Sequence, residues 1–206
     1  SPSRWGQLSG EELTRRFWVA LVGGAYATHG EVLESGKARG WIAGGGHLAG
    51  TSPERIGFLR KIVEAGPKGG LAPIDQLFVM NAAGQAGEYY LYYFGDDKPT
   101  EFPFVLPVKA LRKGMKFRAD IIDTWNMTVT PVPGTFEIGE PPRYRVADVN
   151  GRVIKLPGRP YMALRIQRVG RIELVSAVHE LSDEVDDKDA VEIVSSHEYI
   201  FEPGAA

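Results

Sequence analysis

The spacing of apolar residues changes once along this chain, and that change constrains the fold more than any other feature. Before residue 67 apolar residues recur at intervals of three and four, which is typical of amphipathic helices. After residue 70 they alternate with polar residues, and turn residues recur about every 8–12 positions, as in antiparallel sandwiches and barrels. We therefore predict a mainly β chain, with an α/β segment over residues 1–70 and an antiparallel β-sandwich over residues 71–206.

The α/β segment contains signals for two helices and one strand. Ser9 and Glu12 have the spacing of a capping box, which predicts the start of the first helix. Ser52 followed by Pro53 predicts the start of the second, because proline is favoured in the first helical turn. The apolar run over residues 24–31 predicts a short buried strand that leads into a glycine-rich loop. The predicted order is helix, strand, loop, helix.

The β segment contains a strong hairpin signal. Asn150–Gly151 lies between the predicted strands 143–149 and 152–156, and this dipeptide favours a two-residue hairpin turn. Further strands are predicted at residues 77–82, 88–94, 102–106, 116–124, 128–132, 161–168, 171–179 and 191–201.

Five aromatic residues in the predicted sandwich have assignable positions. Alternation places Tyr90 and Tyr92 on one face of a strand, and Tyr89 and Tyr93 on the other. One face could form a carbohydrate platform, but packing is the favoured interpretation. Trp125 is predicted to be a core residue, because a tryptophan within alternating β sequence usually packs inside.

Composition excludes several classes of function. The chain of 206 residues has 24 basic and 26 acidic side chains, so it lacks the basic excess of a dedicated nucleic-acid binder. Cysteine is absent, which excludes thiol catalysis and zinc–thiolate sites. No apolar run reaches the roughly 18 residues that a membrane span needs. No cofactor and no metal site are predicted, and the acidic stretch 182–189 is interpreted as a solvated loop rather than a Ca²⁺ site.

The α/β segment is incomplete as a folding unit. One short strand with two flanking helices cannot form an independent parallel sheet, because such a sheet needs further strands to pair with. The missing strands could come from outside this segment, either from the rest of the same polypeptide or from a second chain. Alternatively, the segment packs on the sandwich as an irregular appendage. We favour the interpretation in which this chain is a fragment of a longer polypeptide.

Several segments carry a resemblance to a known family. They are RFWVALVGGAYATHGE (16–31), GGGHLAGTSPERIGFLRKIV (44–63) and DTWNMTVTPVPGTF (123–136), together with residues 88–102 and 159–166. In combination they resemble bacterial multidomain proteins assigned as glycoside hydrolases. Those proteins have an immunoglobulin-like domain, a central TIM barrel and a C-terminal β-sandwich. The resemblance implies that residues 1–70 are the last part of the barrel, a helix–strand–helix remnant.

The resemblance also has a consequence for catalysis. Glycosidases generally use two carboxylates, which in related TIM-barrel enzymes lie at the ends of the fourth and seventh strands. Residues 25–31 are similar to the eighth strand, so the catalytic carboxylates are unknown here and are expected upstream of Ser1. The chain is thus expected to be the C-terminal portion of a glycoside hydrolase that acts on an oligo- or polysaccharide, and to be inactive alone.

Four residues are candidates for substrate binding. His29 and Glu31 would lie at the end of the predicted strand, and the carboxyl ends of barrel strands form the active-site face. Trp41 and His47 flank the glycine-rich loop, where an indole could stack on a sugar ring. In the competing interpretation, His29 and Glu31 belong to a surface turn, or His29 caps a buried carbonyl. Trp41 would then plug the barrel mouth or the domain interface.

Two other functions remain open from the sequence. The chain could be a non-enzymatic carbohydrate-binding or structural β-sandwich module, or a protein–protein interaction domain. The expected partners are a carbohydrate and either the rest of the polypeptide or a second chain, with no nucleic acid and no membrane. The protein is expected to be soluble, and the resemblance leaves both the bacterial cytoplasm and export possible.

Overall fold

The computed structural model describes residues 8–28, 33–34, 47–48, 50–74 and 82–170, with the backbone alone described at 33–34 and 47–48. This part of the chain is mainly antiparallel β structure with two helices. The strands predicted at 77–82 (except its last residue), 171–179 and 191–201 and the acidic stretch 182–189 lie outside the described residues.

Both predicted helices are present. Helix α1 spans Gly10–Val22, and the Ser9 hydroxyl accepts a hydrogen bond from the Glu12 amide at 3.2 Å, as the capping box predicts. Helix α2 spans Ser52–Glu64 and has proline in its first turn. The sequence signals at the two helix starts were therefore sufficient to locate them.

The strand predicted between the helices differs from the structure in its described part. Residues 25–28 form neither helix nor strand, and Tyr26 is 102% exposed rather than buried. The physical reason is that no described strand pairs with this segment. Two short strands, β1 (Leu33–Glu34) and β2 (His47–Leu48), pair with each other further along.

The main sheet is antiparallel throughout. Its seven strands are β3 (Ala72–Pro73), β4 (Ala82–Gln85), β5 (Tyr89–Tyr93), β8 (Lys116–Asp123), β9 (Thr128–Pro131), β10 (Phe136–Glu137) and β13 (Met162–Arg168). The strand order is β10–β8–β13–β5–β4–β3, and β9 also pairs with β8. Four of these strands, β5, β8, β9 and β13, coincide with predicted strands to within a residue or two at each end.

The second β layer contains four short strands. They are β6 (Glu101–Pro103), β7 (Val105–Pro107), β11 (Arg145–Ala147) and β12 (Val153–Lys155). Strand β11 pairs with β7, and β12 pairs with β6.

The predicted hairpin at Asn150–Gly151 is wrong, although a turn is present. Strands β11 and β12 do not pair with each other; they run in the same direction along one partner, residues 101–107. Arg145 lies opposite Pro107, and Lys155 lies opposite Glu101. The chain therefore advances ten residues from Arg145 to Lys155, while its partner advances only six. The residues between β11 and β12 therefore form a bulge of four extra residues.

Two buried clusters lie on the two faces of the main sheet. Tyr90 and Tyr92 face the second layer, where the rings of Phe104 and Phe136 stack at 4.2 Å. Tyr89 and Tyr93 face the helices, and Tyr93 stacks on Trp18 of α1 at 5.3 Å. The predicted division of the four tyrosines between the faces is confirmed. The use of both faces for packing leaves no tyrosine platform on β5.

The described residues therefore form three layers: two helices, the main sheet and the second β layer. Helices and sheet share one apolar cluster that includes Trp18, Val22, Leu59, Ile62 and Leu91. The division of the chain near residue 70 stays a prediction. Neither described helix has the length and apolar character needed to cross a membrane.

Candidate functional site

The four predicted substrate-binding residues fall largely outside the described part of the chain. His29, Glu31 and Trp41 are not among the described residues. His47 begins β2, and its backbone lies opposite Glu34 in a two-residue antiparallel pair. Their convergence on one pocket stays a prediction.

The glycine-rich loop that precedes α2 leads into the first turn of this helix, which is described. That first turn contacts the turn between β8 and β9. We call residues 123–127 the Trp125 turn. The Arg55 guanidinium lies 3.7 Å from the centroid of the Trp125 ring. Its Nε donates to the Trp125 carbonyl at 3.0 Å, and its Nη1 donates to the Thr51 carbonyl at 2.5 Å. One side chain thus ties the start of α2 to a turn of the sandwich.

Asp123 fixes the conformation of the Trp125 turn. Its side chain is 4% exposed and lies at the end of β8. It accepts hydrogen bonds from the amides of Trp125 (3.1 Å) and Asn126 (2.8 Å) and from the Asn126 side chain (2.8 Å). The guanidinium of Arg159 approaches it to 2.5 Å. A buried carboxylate needs such a full set of donors, and these bonds hold the turn in its conformation.

The neighbouring strand holds the other side of the turn. Thr124 is fully buried, and its hydroxyl and amide both donate to the Tyr161 carbonyl, at 2.7 and 3.0 Å. Tyr161 has a φ of 63°, an uncommon value outside glycine that these bonds maintain. Its ring lies 6.5 Å from that of Trp125. Arg55 covers one face of the Trp125 indole, so this contact joins α2 to the turn.

Sequence reasoning missed the main feature of this site. Trp125 was predicted to be core, whereas it is partly exposed and packs against a cation. Arg55 was not singled out, because the second helix was read through its apolar face alone. The available signal was an arginine in the first turn of the second helix, together with a tryptophan in the turn-favouring run Asp123-Thr124-Trp125-Asn126.

A second buried carboxylate holds the bulge between β11 and β12. The Asp148 side chain is 0% exposed and accepts from the amides of Glu137 (2.9 Å) and Asn150 (3.1 Å). The Arg152 guanidinium donates to both carboxylate oxygens at 2.8 Å. These hydrogen bonds, those from Arg152 above all, hold the pKa of Asp148 well below its ordinary value.

The two buried carboxylates of the described residues have structural partners. Asp123 and Asp148 are each bound to an arginine. Within the described ranges, no group of three or more His, Asp or Glu side chains is placed to hold a metal ion. Asp123 and Asp148 therefore hold local backbone structure.

Two comparisons with known proteins find similarity to this chain. A family model described as a domain of unknown function, DUF5605, matches residues 78–167. A crystal structure from Bacteroides vulgatus, of a protein provisionally described as a glycoside hydrolase, is similar over 82% of this chain, with 40% identity and a TM-score of 0.73. The chain spans only 34% of that protein. No curated protein matches the chain significantly. The chain is thus similar to about a third of a larger protein that is provisionally described as a glycoside hydrolase.

Proposed function

We propose that this chain is the C-terminal portion of a glycoside hydrolase, which completes a TIM barrel and carries an accessory β-sandwich. The single observation that carries the proposal is the 40% identity to the Bacteroides vulgatus protein over 82% of the chain. Since the chain spans about a third of that protein, catalysis would require residues that lie elsewhere. The substrate class is an oligo- or polysaccharide.

The helices provide support that is independent of sequence identity. Helices α1 and α2 pack on one face of the sheet through Trp18, Leu59 and Ile62, which are all buried. In the segment 25–28 that follows α1, Tyr26 projects fully into solvent, and no described strand pairs with the segment. A barrel strand that lacks its neighbouring strands would likewise have unpaired backbone groups and exposed apolar side chains.

In this proposal the loop before α2 would line the sugar site. His29, Glu31, Trp41 and His47 would bind the substrate, and the two catalytic carboxylates would come from the preceding barrel strands. The Trp125 turn would hold the first turn of α2 in place and so would fix the end of that loop. Its role would be positioning.

Hydrolysis assays on this chain and on a longer polypeptide that includes the rest of the barrel test the proposal. We expect the 206-residue chain to release no aryl group from a panel of chromogenic glycosides, whereas a longer polypeptide that includes the rest of the barrel should do so. In the longer protein, His29→Ala should lower turnover or binding while leaving the melting temperature nearly unchanged. Hydrolysis by the chain alone that is lost on Glu31→Gln would overturn the proposal and make Glu31 catalytic.

The second candidate is a carbohydrate-binding or structural sandwich module without catalysis. It is favoured by the family match, which covers only the β part of the chain, residues 78–167. Binding of oligosaccharides by the chain, together with inactivity of the longer polypeptide, would support this candidate over the first.

A further inference from the structure

A groove lies where the loop before β8 meets the end of β13. It has a volume of about 480 Å³, within the range of small-molecule sites. Four of its eight lining residues are cationic: Arg112, Lys113, Lys116 and Arg168. The groove is therefore far more basic than the chain as a whole, whose formal net charge is −2.

Most of this charge is available to a ligand. Lys113 and Lys116 each have a carboxylate 3.9 Å away, and both lysines are more than half exposed. Exposed pairs of this kind contribute about 0–1 kcal/mol, so an anion can replace the carboxylate at little cost. Arg112 is exposed and has no ion pair with a described carboxylate. Arg168 is the exception, because Glu88 binds it at 2.7 Å.

Two glycines keep the groove open. Gly114 and Gly170 both line it, with φ values of 82° and 111°. A Cβ atom added at either position would meet no atom of residues 8–28, 50–74 or 82–170 within 4 Å. The backbone at these points allows a ligand to approach closely.

We propose that this groove binds an oligosaccharide that carries carboxylate or sulfate groups. Arginine and lysine side chains recognise these anions through charge-assisted hydrogen bonds, and arginine can do so with two parallel bonds. The preference for an anion rests on the groove alone. The choice of an oligosaccharide as its carrier rests on the proposed function and makes the substrate of that function an acidic glycan.

Calorimetric titration of the chain with three oligosaccharides of equal length tests the proposal. One is a carboxylated oligogalacturonate, one a sulfated chondroitin oligosaccharide and one a neutral cello-oligosaccharide. We expect one or both charged ligands to bind and the neutral one not to bind, and the charged arm that binds identifies the anion. Binding should weaken as salt is raised, because exposed charges are screened.

Variants within one loop locate the site. The double variant Arg112→Gln, Lys113→Gln should bind the charged oligosaccharide at least about tenfold more weakly, the loss of roughly one charge-assisted hydrogen bond. Lys109→Gln is the matched control: Lys109 is an exposed cation of the same loop that does not line the groove. It should change the affinity less than about twofold. Circular dichroism checks that each variant is folded.

Three results would overturn the proposal: equal binding of the neutral oligosaccharide, an equal loss with Lys109→Gln, or equal binding of polyglutamate. The last would mean a general attraction to polyanions. None of these bears on hydrolysis by the longer polypeptide. Conversely, intact groove binding in an inactive longer polypeptide would refute catalysis while leaving the groove assignment standing.

Discussion

At the scale of single residues, Thr14 and Thr124 form a natural pair for measuring the cost of an unmet hydrogen bond. Both are buried, at 2% and 0% exposure. The Thr124 hydroxyl donates to the Tyr161 carbonyl at 2.7 Å, whereas the Thr14 hydroxyl has no hydrogen-bond partner among the described residues. The same substitution at the two positions should therefore have opposite effects.

We predict that Thr14→Val raises the free energy of unfolding by about 1 kcal/mol, because it removes a hydroxyl that is buried without a partner. Thr124→Val should lower it by about 1–3 kcal/mol, because the Tyr161 carbonyl then loses one of its two donors. Urea unfolding of both variants measures the difference. A lower stability of Thr14→Val would mean that its hydroxyl is in fact satisfied.

The lowered pKa of Asp148 predicts how the free energy of unfolding depends on pH. Its pKa is lowered in the folded protein, mainly by the hydrogen bond from Arg152. The stabilisation is thus complete above the ordinary carboxyl pKa of about 4 and is lost as pH falls below it toward the lower folded pKa. Asp148→Asn should lower the free energy of unfolding by about 2 kcal/mol at pH 7 and by much less at pH 2.

Unfolding in urea at several pH values tests this prediction. Glu101→Gln serves as the control on the partner strand, because Glu101 and its partner Lys155 are 53% and 80% exposed at the side chain. That substitution should cost less than about 0.5 kcal/mol at either pH. If the loss for Asp148→Asn is the same at pH 2 and pH 7, the charge of Asp148 does not stabilise the bulge.

At the scale of elements, Arg55 connects α2 to the Trp125 turn and should matter more than its exposed neighbours. We predict that Arg55→Ala lowers the free energy of unfolding by about 1–2 kcal/mol, through loss of the cation–π contact and the bond to the Trp125 carbonyl. Arg60→Ala on the same helix should cost less than about 0.5 kcal/mol, because Arg60 is 78% exposed and its ion pair with Glu64 lies at the surface.

A double-mutant cycle isolates the contact. Arg55→Ala, Trp125→Phe and the double variant should give a coupling free energy of about 1 kcal/mol. Additive effects would show that the two side chains contribute independently, and α2 would then be held by its apolar face alone.

The elements also show where sequence reasoning succeeds and where it fails. The start of α1 was predictable because Ser9 and Glu12 act within one turn, and β13 because its alternation continues over a whole strand. The hairpin at Asn150–Gly151 was not. A turn-favouring dipeptide specifies a local reversal and leaves open which strands pair across it, and here Asp148 binds residues before and after the turn.

At the scale of the whole molecule, substitution of Tyr26 tests whether the ring stabilises this chain by itself or only in a longer polypeptide that carries the rest of a barrel. The side chain is 102% exposed, so Tyr26→Ser should change the free energy of unfolding of the chain by less than about 0.5 kcal/mol. Trp18→Ala, a control in the fully buried layer, should cost about 3–5 kcal/mol.

In a longer polypeptide that carries the rest of a barrel, we expect the result to change. Tyr26→Ser should then lower the melting temperature, because the ring would be covered by neighbouring strands. An unchanged melting temperature in that protein would show that residues 25–28 stay exposed, and would count against their pairing within a barrel.

The architecture of the sandwich could be predicted further than its site. Period-two alternation reports which residues are covered, and it placed Tyr89 and Tyr90 on opposite faces of β5. A binding site depends instead on which distant segments meet. Arg112 and Arg168 are 56 positions apart and line one groove, and no local pattern connects them.

The bulge between β11 and β12 makes this sandwich a practical scaffold for peptide display. Residues 149–151 lie in the bulge between β11 and β12, and an ion pair between Asp148 and Arg152 closes the base of this bulge. Added residues at Asn150 and Gly151 would lengthen an excursion that the sheet already accommodates, so the pairing of β11 with β7 and of β12 with β6 would keep its register. A foreign epitope grafted at this point would be presented on a closed, anchored loop at the protein surface.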